Sequence, residues 1–265
     1  MHDFAYHRPT SLADALSAIR AGGDAKLVAG GMTLIPTMKQ RLASPSDLVD
    51  LGGVAELKGI RSEGGGLVVG AMTTHAAVAG SSLVQQTIPA LAKLAGLIGD
   101  PQVRNRGTIG GSVANNDPAA DYPAALVGLG ATVKTDHRSI AADDFFQGLF
   151  STALEDGEIV TAISFPKPER AAYVKFRNPA SRYAMVGVFV AKTAGGVRVA
   201  VTGAGPSVFR VKAMEEALSK NFSSDAIKDI KVPADGLNSD IHGSAEYRAH
   251  LVGVMARRAV DKANK

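Results

Sequence analysis

After Ser11, the apolar residues Leu12, Ala15, Leu16 and Ile19 recur at steps of three and four, so one side of a helix is buried and the Ser11 hydroxyl can cap it. The apolar run into Ala29 predicts a buried strand over residues 26–29, then a helix over 37–43 and a strand over 48–51. Short strands over 57–60 and 67–70 flank a glycine-rich turn, and Thr74 is placed to cap the helical stretch that follows. Ile88, Leu91, Leu94, Ala95 and Ile98 fall on one side of a helix over about 86–98, the spacing of a helix packed on a sheet. Pro118 suits a helix start, and Ala124, Ala125, Leu126 and Leu129 continue that helix. Strands over 132–135 and 158–165 lead to the break Pro166-Lys167-Pro168.

Beyond that break a strand over 173–177 precedes two β-rich runs, 185–193 and 197–203, separated by Ala194-Gly195-Gly196, a hairpin signal. Helices then dominate, over 209–219, 223–230 and 244–262. On the last of these, Tyr247, Leu251, Val254 and Met255 share a face, while Arg248, Arg257, Arg258 and Lys262 read as lying on other sides. The pattern divides an α+β chain into three blocks, 1–56, 57–170 and 171–265, with no repeat and no low-complexity tract.

Composition narrows the function. A chain of 265 residues exceeds the usual single-domain size, and a hydrophobic content of 46% is that of an ordinary globular protein. No apolar run reaches the roughly 18 residues of a membrane span, and Met1-His2-Asp3-Phe4 lacks the basic-then-apolar order of a secretory signal, so the expected location is cytoplasmic. A net charge of +4, with basic and acidic residues interspersed, and no Trp argue against nucleic acid. With no cysteine, the chain cannot form disulfides or ligate an iron–sulfur cluster through thiolates, so any such cluster sits on another chain. The six histidines show no metal-binding spacing, and no metal site is expected.

The candidate chemistry lies in two glycine-rich segments, AGGMTLIP at 29–36 and GTIGGSVANNDPAADYP at 107–123. A residue without a Cβ can take positive φ and lets main-chain N–H groups approach an anion directly, so Gly30-Gly31 and Gly110-Gly111 read as two cradles for one extended diphosphate ligand. Thr33, Thr108 and Ser112 add hydroxyl donors. Neither a Walker loop nor a Rossmann fingerprint is present; Gly203-Ala204-Gly205 runs into Pro206, and the triple glycine at 64–66 precedes a strand. Each glycine pair taken alone is also consistent with a plain tight turn.

The string AGGMTLIPTMKQRLASP, followed by IGDPQVRNRGTIGGSVANNDPAADYPA, resembles the FAD-binding medium subunit of the molybdenum hydroxylases, in particular the aerobic carbon monoxide dehydrogenase type. That family includes the flavin domain of xanthine dehydrogenase. Phe4-Ala5-Tyr6-His7-Arg8-Pro9 is similar to the usual opening, and Ala245-Glu246-Tyr247-Arg248 with residues 253–259 to the closing helix, so the resemblance covers practically the whole chain. It implies a two-part FAD-binding domain of the PCMH type, 1–56 and 57–170, followed by a C-terminal domain of sheet and helices, 171–265.

Carried over residue by residue, the resemblance assigns FAD contacts to Lys26, Val28, Ala29, Gly30, Gly31, Met32, Thr33 and Leu34 in the first segment. In the second it assigns Thr108, Ile109, Gly110, Gly111, Ser112 and Ala114, with Asp121 reaching ribose or adenosine hydroxyls. Tyr183 matches an aromatic lying against the isoalloxazine, and Ile98 gives apolar cover. Lys175 and Arg182 are weaker candidates for the flavin edge or a partner interface, as is Arg104 for a phosphate or a partner. Met32 stands where the family usually has His, followed by Ser, and Ser112 stands where close relatives often have Asn. No histidine lies in either glycine segment, so the flavin is expected to be noncovalent. The implied partners are a small subunit carrying two-iron two-sulfur clusters and a large subunit carrying the molybdenum cofactor, in a dimer of heterotrimers. Electrons would reach the FAD from the clusters and leave to an acceptor left open among quinone, NAD, cytochrome and oxygen. No catalytic acid or base is assigned to this chain. A self-contained flavin oxidase or dehydrogenase, and a flavin-free scaffold, stand as alternatives.

Overall fold

The computed structural model describes all 265 residues. Strands β1 (Ala5–His7), β2 (Ala25–Val28) and β3 (Asp47–Asp50) form a parallel sheet in the order β1-β3-β2. Its crossovers carry helices α1 (Leu12–Ala21) and α2 (Leu34–Lys39). Ser11 caps α1 as its sequence position suggests, accepting from the Asp14 N–H at 3.1 Å.

A second sheet, ordered β4-β5-β10-β6-β7, is built from β4 (Ile60–Glu63), β5 (Gly66–Gly70), β6 (Thr132–Thr135), β7 (Ser139–Ala141) and β10 (Val160–Phe165), all antiparallel. The long excursion between β5 and β6 holds α3 (His75–Gly80), α4 (Ser82–Thr87), α5 (Pro89–Gly96), α6 (Pro101–Arg106), α7 (Ile109–Asn115) and α8 (Tyr122–Leu129). Between β7 and β10 lie the short helix α9 (Ala142–Phe145) and the hairpin of β8 (Phe146–Gly148) and β9 (Ser151–Thr152). The third sheet is antiparallel, ordered β11 (Arg170–Arg177), β12 (Ala184–Thr193), β13 (Gly196–Thr202) and β14 (Phe209–Arg210), with α10 (Lys212–Lys220) and α11 (Ala245–Ala263) after it.

Helix α8 joins the second and third units. All eight of its residues are buried, and Leu126 and Leu129 share a core with Val133 and Ile163 of the second sheet and with Tyr173, Phe189 and Ala200 of the third. On the opposite face of the third sheet, Val186, Val188 and Val190 pack against Leu251, Val252, Met255 and Ala256 of α11. Strand β12 is covered on both faces, which explains its uninterrupted apolar run in place of alternation.

Several elements depart from the sequence pattern for identifiable reasons. The strand at 26–29 is half-buried instead of buried: only Val28 is enclosed, because β2 is an edge strand. The helix expected at 37–43 begins at Leu34, since Pro36 is tolerated in a first turn. The helix expected over 86–98 is two helices broken at Ile88, because Pro89 restricts the residue before it and starts α5 afresh. Residues 55–57 form a 3-10 turn that buries Leu57, so β4 starts only at Ile60. Pro118 lies in a turn, and α8 starts at Tyr122 with Pro123 in its first turn. The stretch 223–230 holds a 3-10 turn at Ser224–Ile227 in place of a helix.

Arg138 and Glu158 clamp the edge where β6 meets β10. Arg138 donates to both oxygens of the enclosed Glu158 carboxylate, at 2.8 and 2.7 Å, and the Glu155 N–H adds a third bond. The Arg138 hydrogen bonds pull the Glu158 pKa down to about 2, against the upward push of burial. A carboxyl depressed below its unfolded value adds stability above that value, and the contribution is lost as pH falls through the folded pKa. Glu158→Gln is therefore expected to be less stable at neutral pH and to show a shallower loss of stability between about pH 5 and 2. Urea denaturation at pH 7, 4 and 3 measures this; parallel wild-type and variant curves would remove the clamp from the acid response.

Candidate functional site

Strand β2 ends at Val28, and residues 29–33 turn into α2. Within this turn Gly31 has φ +71°, a left-handed conformation that disfavours any side chain. The N–H groups of Ala29, Gly30, Gly31, Met32 and Thr33 donate to no backbone acceptor. Five consecutive amides without a partner, in a turn that lines a cavity, are donors available to an anion.

The second segment works differently. Gly107 follows α6, and Thr108 caps α7, its hydroxyl accepting from the Gly111 N–H at 3.1 Å. The Ile109 N–H donates to Thr73 O, the Gly110 N–H to Ala71 O and the Ser112 N–H to Thr108 O. A Cβ on Gly110 would lie 2.5 Å from the Ala71 Cβ, so this glycine exists for close packing on the end of β5. The two segments meet at Gly30, where a Cβ would lie 2.2 Å from Arg106 O and 2.7 Å from the Gly107 Cα. They are walls of a single cavity.

That cavity has a volume of ≈ 490 Å³, within the usual range for sites that hold sizeable organic ligands. Its far wall carries Ile98, the ion pair Lys175–Asp121 and the half-exposed Tyr183. Burial, reinforced by the charges of Asp117 and Asp121, raises the Tyr183 pKa and keeps its hydroxyl protonated. Tyr183 stands on a tight loop in which the Asn178 side chain accepts from the N–H groups of Ala180 and Ser181, while Arg182 takes φ +64°.

Residues 2–168 match the family model described as the FAD binding domain in molybdopterin dehydrogenase, and residues 171–263 match the CO dehydrogenase flavoprotein C-terminal domain. The chain belongs to the FAD-binding medium subunits of the molybdenum hydroxylases. It is 40% identical to the carbon monoxide dehydrogenase medium chain of Afipia carboxidovorans, over 98% of this chain and 96% of that one. It is 36% identical to the nicotine 6-hydroxylase medium subunit of Paenarthrobacter nicotinovorans, over 97% and 96%. Among solved structures it superposes on a chain of the Cu,Mo-CO dehydrogenase with a TM-score of 0.90 at 38% identity, covering 98% of this chain and 97% of the other.

As a medium subunit the chain is one member of a multi-subunit complex, an oxidoreductase component that binds FAD, and no helix in it is long and apolar enough to cross a membrane. The cavity fits the cofactor on its own features: a row of free amides for a diphosphate, Cβ-free walls at Gly30 and Gly111, and apolar or aromatic cover at Ile98 and Tyr183.

Of the residues expected at the cofactor, Lys26, Val28, Ala29, Gly30, Gly31, Met32, Thr33 and Leu34 line the cavity, as do Ile98, Thr108, Gly111, Ser112, Ala114, Asp121, Lys175 and Tyr183. Ile109 and Gly110 do not; both are buried behind the wall, with their N–H groups bonded to the β5–α3 turn. The idea of a bare main chain at the second cradle is corrected accordingly: its first-turn amides are satisfied internally, and its hydroxyls and surface remain. Asp121 has one carboxylate oxygen accepting from the Tyr173 hydroxyl and the other from Lys175 Nζ at 2.8 Å, so it is tied into the protein first. Arg104 turns inward and donates to Ile98 O and Gly99 O, which fixes the loop beneath Ile98.

Sequence reading missed His75, Val103, Gly107, Asn115 and Asp117, all of which line the cavity. Asn115 and Asp117 sit in the polar tail of the second segment, a signal that was present. His75 carried none, because it reaches the site only through the bridge between Thr74 and Thr108. Its ring is 4% exposed, and burial, helped by the nearby Arg104 charge, lowers its pKa to about 4, so it is neutral at physiological pH.

Proposed function

We propose that this subunit holds FAD noncovalently between the 29–34 turn and the 107–115 wall and passes electrons through it. Its partners in this reading are a small subunit with two-iron two-sulfur clusters and a large molybdopterin subunit, assembled as a dimer of heterotrimers in the cytoplasm. The substrate is oxidised on the large subunit. A bound flavin accepts electrons singly from clusters and releases them singly or in pairs.

The observation that carries the reading is the set of free N–H groups from Ala29 to Thr33, in a segment that lines one cavity together with Thr108 and Ser112. These amides hold the diphosphate, with Lys26 and Arg182 at the margin offsetting its charge. Ile98 and Tyr183 exclude water from a ring, and Tyr183, half-exposed, marks the side on which the ring's edge meets solvent and the acceptor. The division of the chain at 56/57 and 170/171 follows: the first two units supply the facing walls, and the third supplies Lys175 and the Tyr183 loop.

Complex purified with its natural partners should release FAD on denaturation, and the isolated chain loaded with FAD should be yellow. Of a panel of carbon monoxide, purines, aldehydes and N-heterocycles, at least one compound should bleach the flavin anaerobically in the complex and leave the isolated, flavin-loaded chain oxidised. Bleaching of the isolated chain would point to a self-contained dehydrogenase, and an active complex that releases no FAD on denaturation would make the chain a scaffold.

A further inference from the structure

Behind the cavity, β11 places two side chains of the same strand face, Tyr173 and Lys175, against one carboxylate. The Tyr173 hydroxyl donates to Oδ1 of Asp121, and Lys175 Nζ lies 2.8 Å from Oδ2 and 3.3 Å from Leu97 O. Lys175 and Asp121 have side-chain exposures of 1% and 4%, yet both line the cavity. A buried ion pair is no better for stability than apolar residues of the same shape, so its place in a cofactor wall calls for another account. The two members are not equivalent. Both carboxylate oxygens already accept hydrogen bonds, whereas the ammonium has three N–H donors and only two partners in the chain. The cation is the member with a donor left for the cavity.

We propose that the Lys175–Asp121 pair, backed by Tyr173, sets the reduction potential of the bound flavin. This rests on FAD occupying the cavity with its reactive ring at the Ile98–Tyr183 end. Reduction adds negative charge to the ring, and in a low-dielectric wall a neighbouring ammonium favours it while a carboxylate opposes it. Held together, the pair delivers a damped positive field. Tyr173 strengthens the damping, because the hydrogen bond it gives favours the charged form of Asp121.

The test is spectroelectrochemical titration of the flavin in the assembled complex, with flavin content measured on the same samples. Lys175→Met should lower the midpoint potential and Asp121→Asn should raise it, each by at least a tenfold change in the reduced-to-oxidised ratio, about 30 mV for a two-electron couple. Lys175→Arg should stay within threefold of wild type. Tyr173→Phe, which keeps the ring and removes a hydrogen bond that favours the charged carboxylate, should raise the potential; it carries the test if Asp121→Asn fails to assemble. Shifts of the same sign in Lys175→Met and Asp121→Asn, or unchanged potentials with full flavin content, would overturn the proposal while leaving FAD binding intact. A wild-type complex without flavin would instead remove the reading on which it stands.

Discussion

Gly30→Ala should leave the subunit folded and without its flavin. The added Cβ would lie 2.2 Å from Arg106 O and 2.7 Å from the Gly107 Cα, both rigid backbone atoms. Carbon and oxygen at that distance are deep in repulsion, and relief requires the two walls to part by about 1 Å or more. Hydrogen bonds of 2.7–3.2 Å do not survive such a displacement on both sides of one ligand. Losing two hydrogen bonds to a charged diphosphate, at about 1.5–3 kcal/mol each, weakens binding by roughly two to four orders of magnitude. Flavin-to-protein ratio after gel filtration and titration calorimetry with FAD measure the loss. Gly23→Ala serves as the control, because a Cβ there meets nothing within 4 Å. Wild-type flavin content in Gly30→Ala would mean that the contact between the two segments does not hold the cofactor site together.

The second large effect concerns the C-terminal unit. Arg248, 4% exposed on α11, donates from Nη1 to Met185 O and Gly203 O at 2.8 and 3.0 Å, and from Nη2 to both oxygens of Asp240 at 2.9 and 2.8 Å. It bolts the terminal helix to the start of β12 and the end of β13. Arg248→Leu keeps the apolar contact of the stem but strands two carbonyls, and Asp240 loses its charge partner. Breaking such a buried network costs about 3–5 kcal/mol, and the partial exposure of Asp240 puts the expectation near about 3. For a chain of this size that is a fall in Tm of roughly 6–12 °C. Thermal denaturation of the FAD-loaded subunit checks it, and a loss below about 1 kcal/mol would show that water satisfies the stranded groups.

Arg248 also shows where reading a chain residue by residue ends. Periodicity grouped Tyr247 with Leu251 and Met255 on the inner face of α11 and set Arg248 elsewhere. In the fold Tyr247 is 43% exposed and Arg248 is inside. Helical spacing cannot distinguish the two, because the carbonyls that bury Arg248 belong to strand ends some 45 and 63 residues away. Elements decided by local chemistry were legible in full. The strand over 132–135 and the hairpin of residues 185–203 appear where the β-rich runs and the Ala194-Gly195-Gly196 turn put them. Helix ends set by proline were less so: Pro89 splits a continuous apolar side that periodicity alone reads as one helix.

At the site, the amino-acid sequence by itself determined the two glycine segments, their hydroxyl neighbours and Tyr183, because these depend on residue type within a few positions along the chain. The tertiary structure decided which glycine does what. Gly31 permits a turn, Gly30 lets two walls touch and Gly110 packs on Ala71 behind the cavity wall, since the use of a missing Cβ depends on the backbone conformation and on what lies opposite it in space. It also decided that His75 lines the cavity and that Lys175 and Asp121, 54 residues apart, form one buried pair. Burial and charge pairing arise between distant segments, and the local pattern carries no record of them.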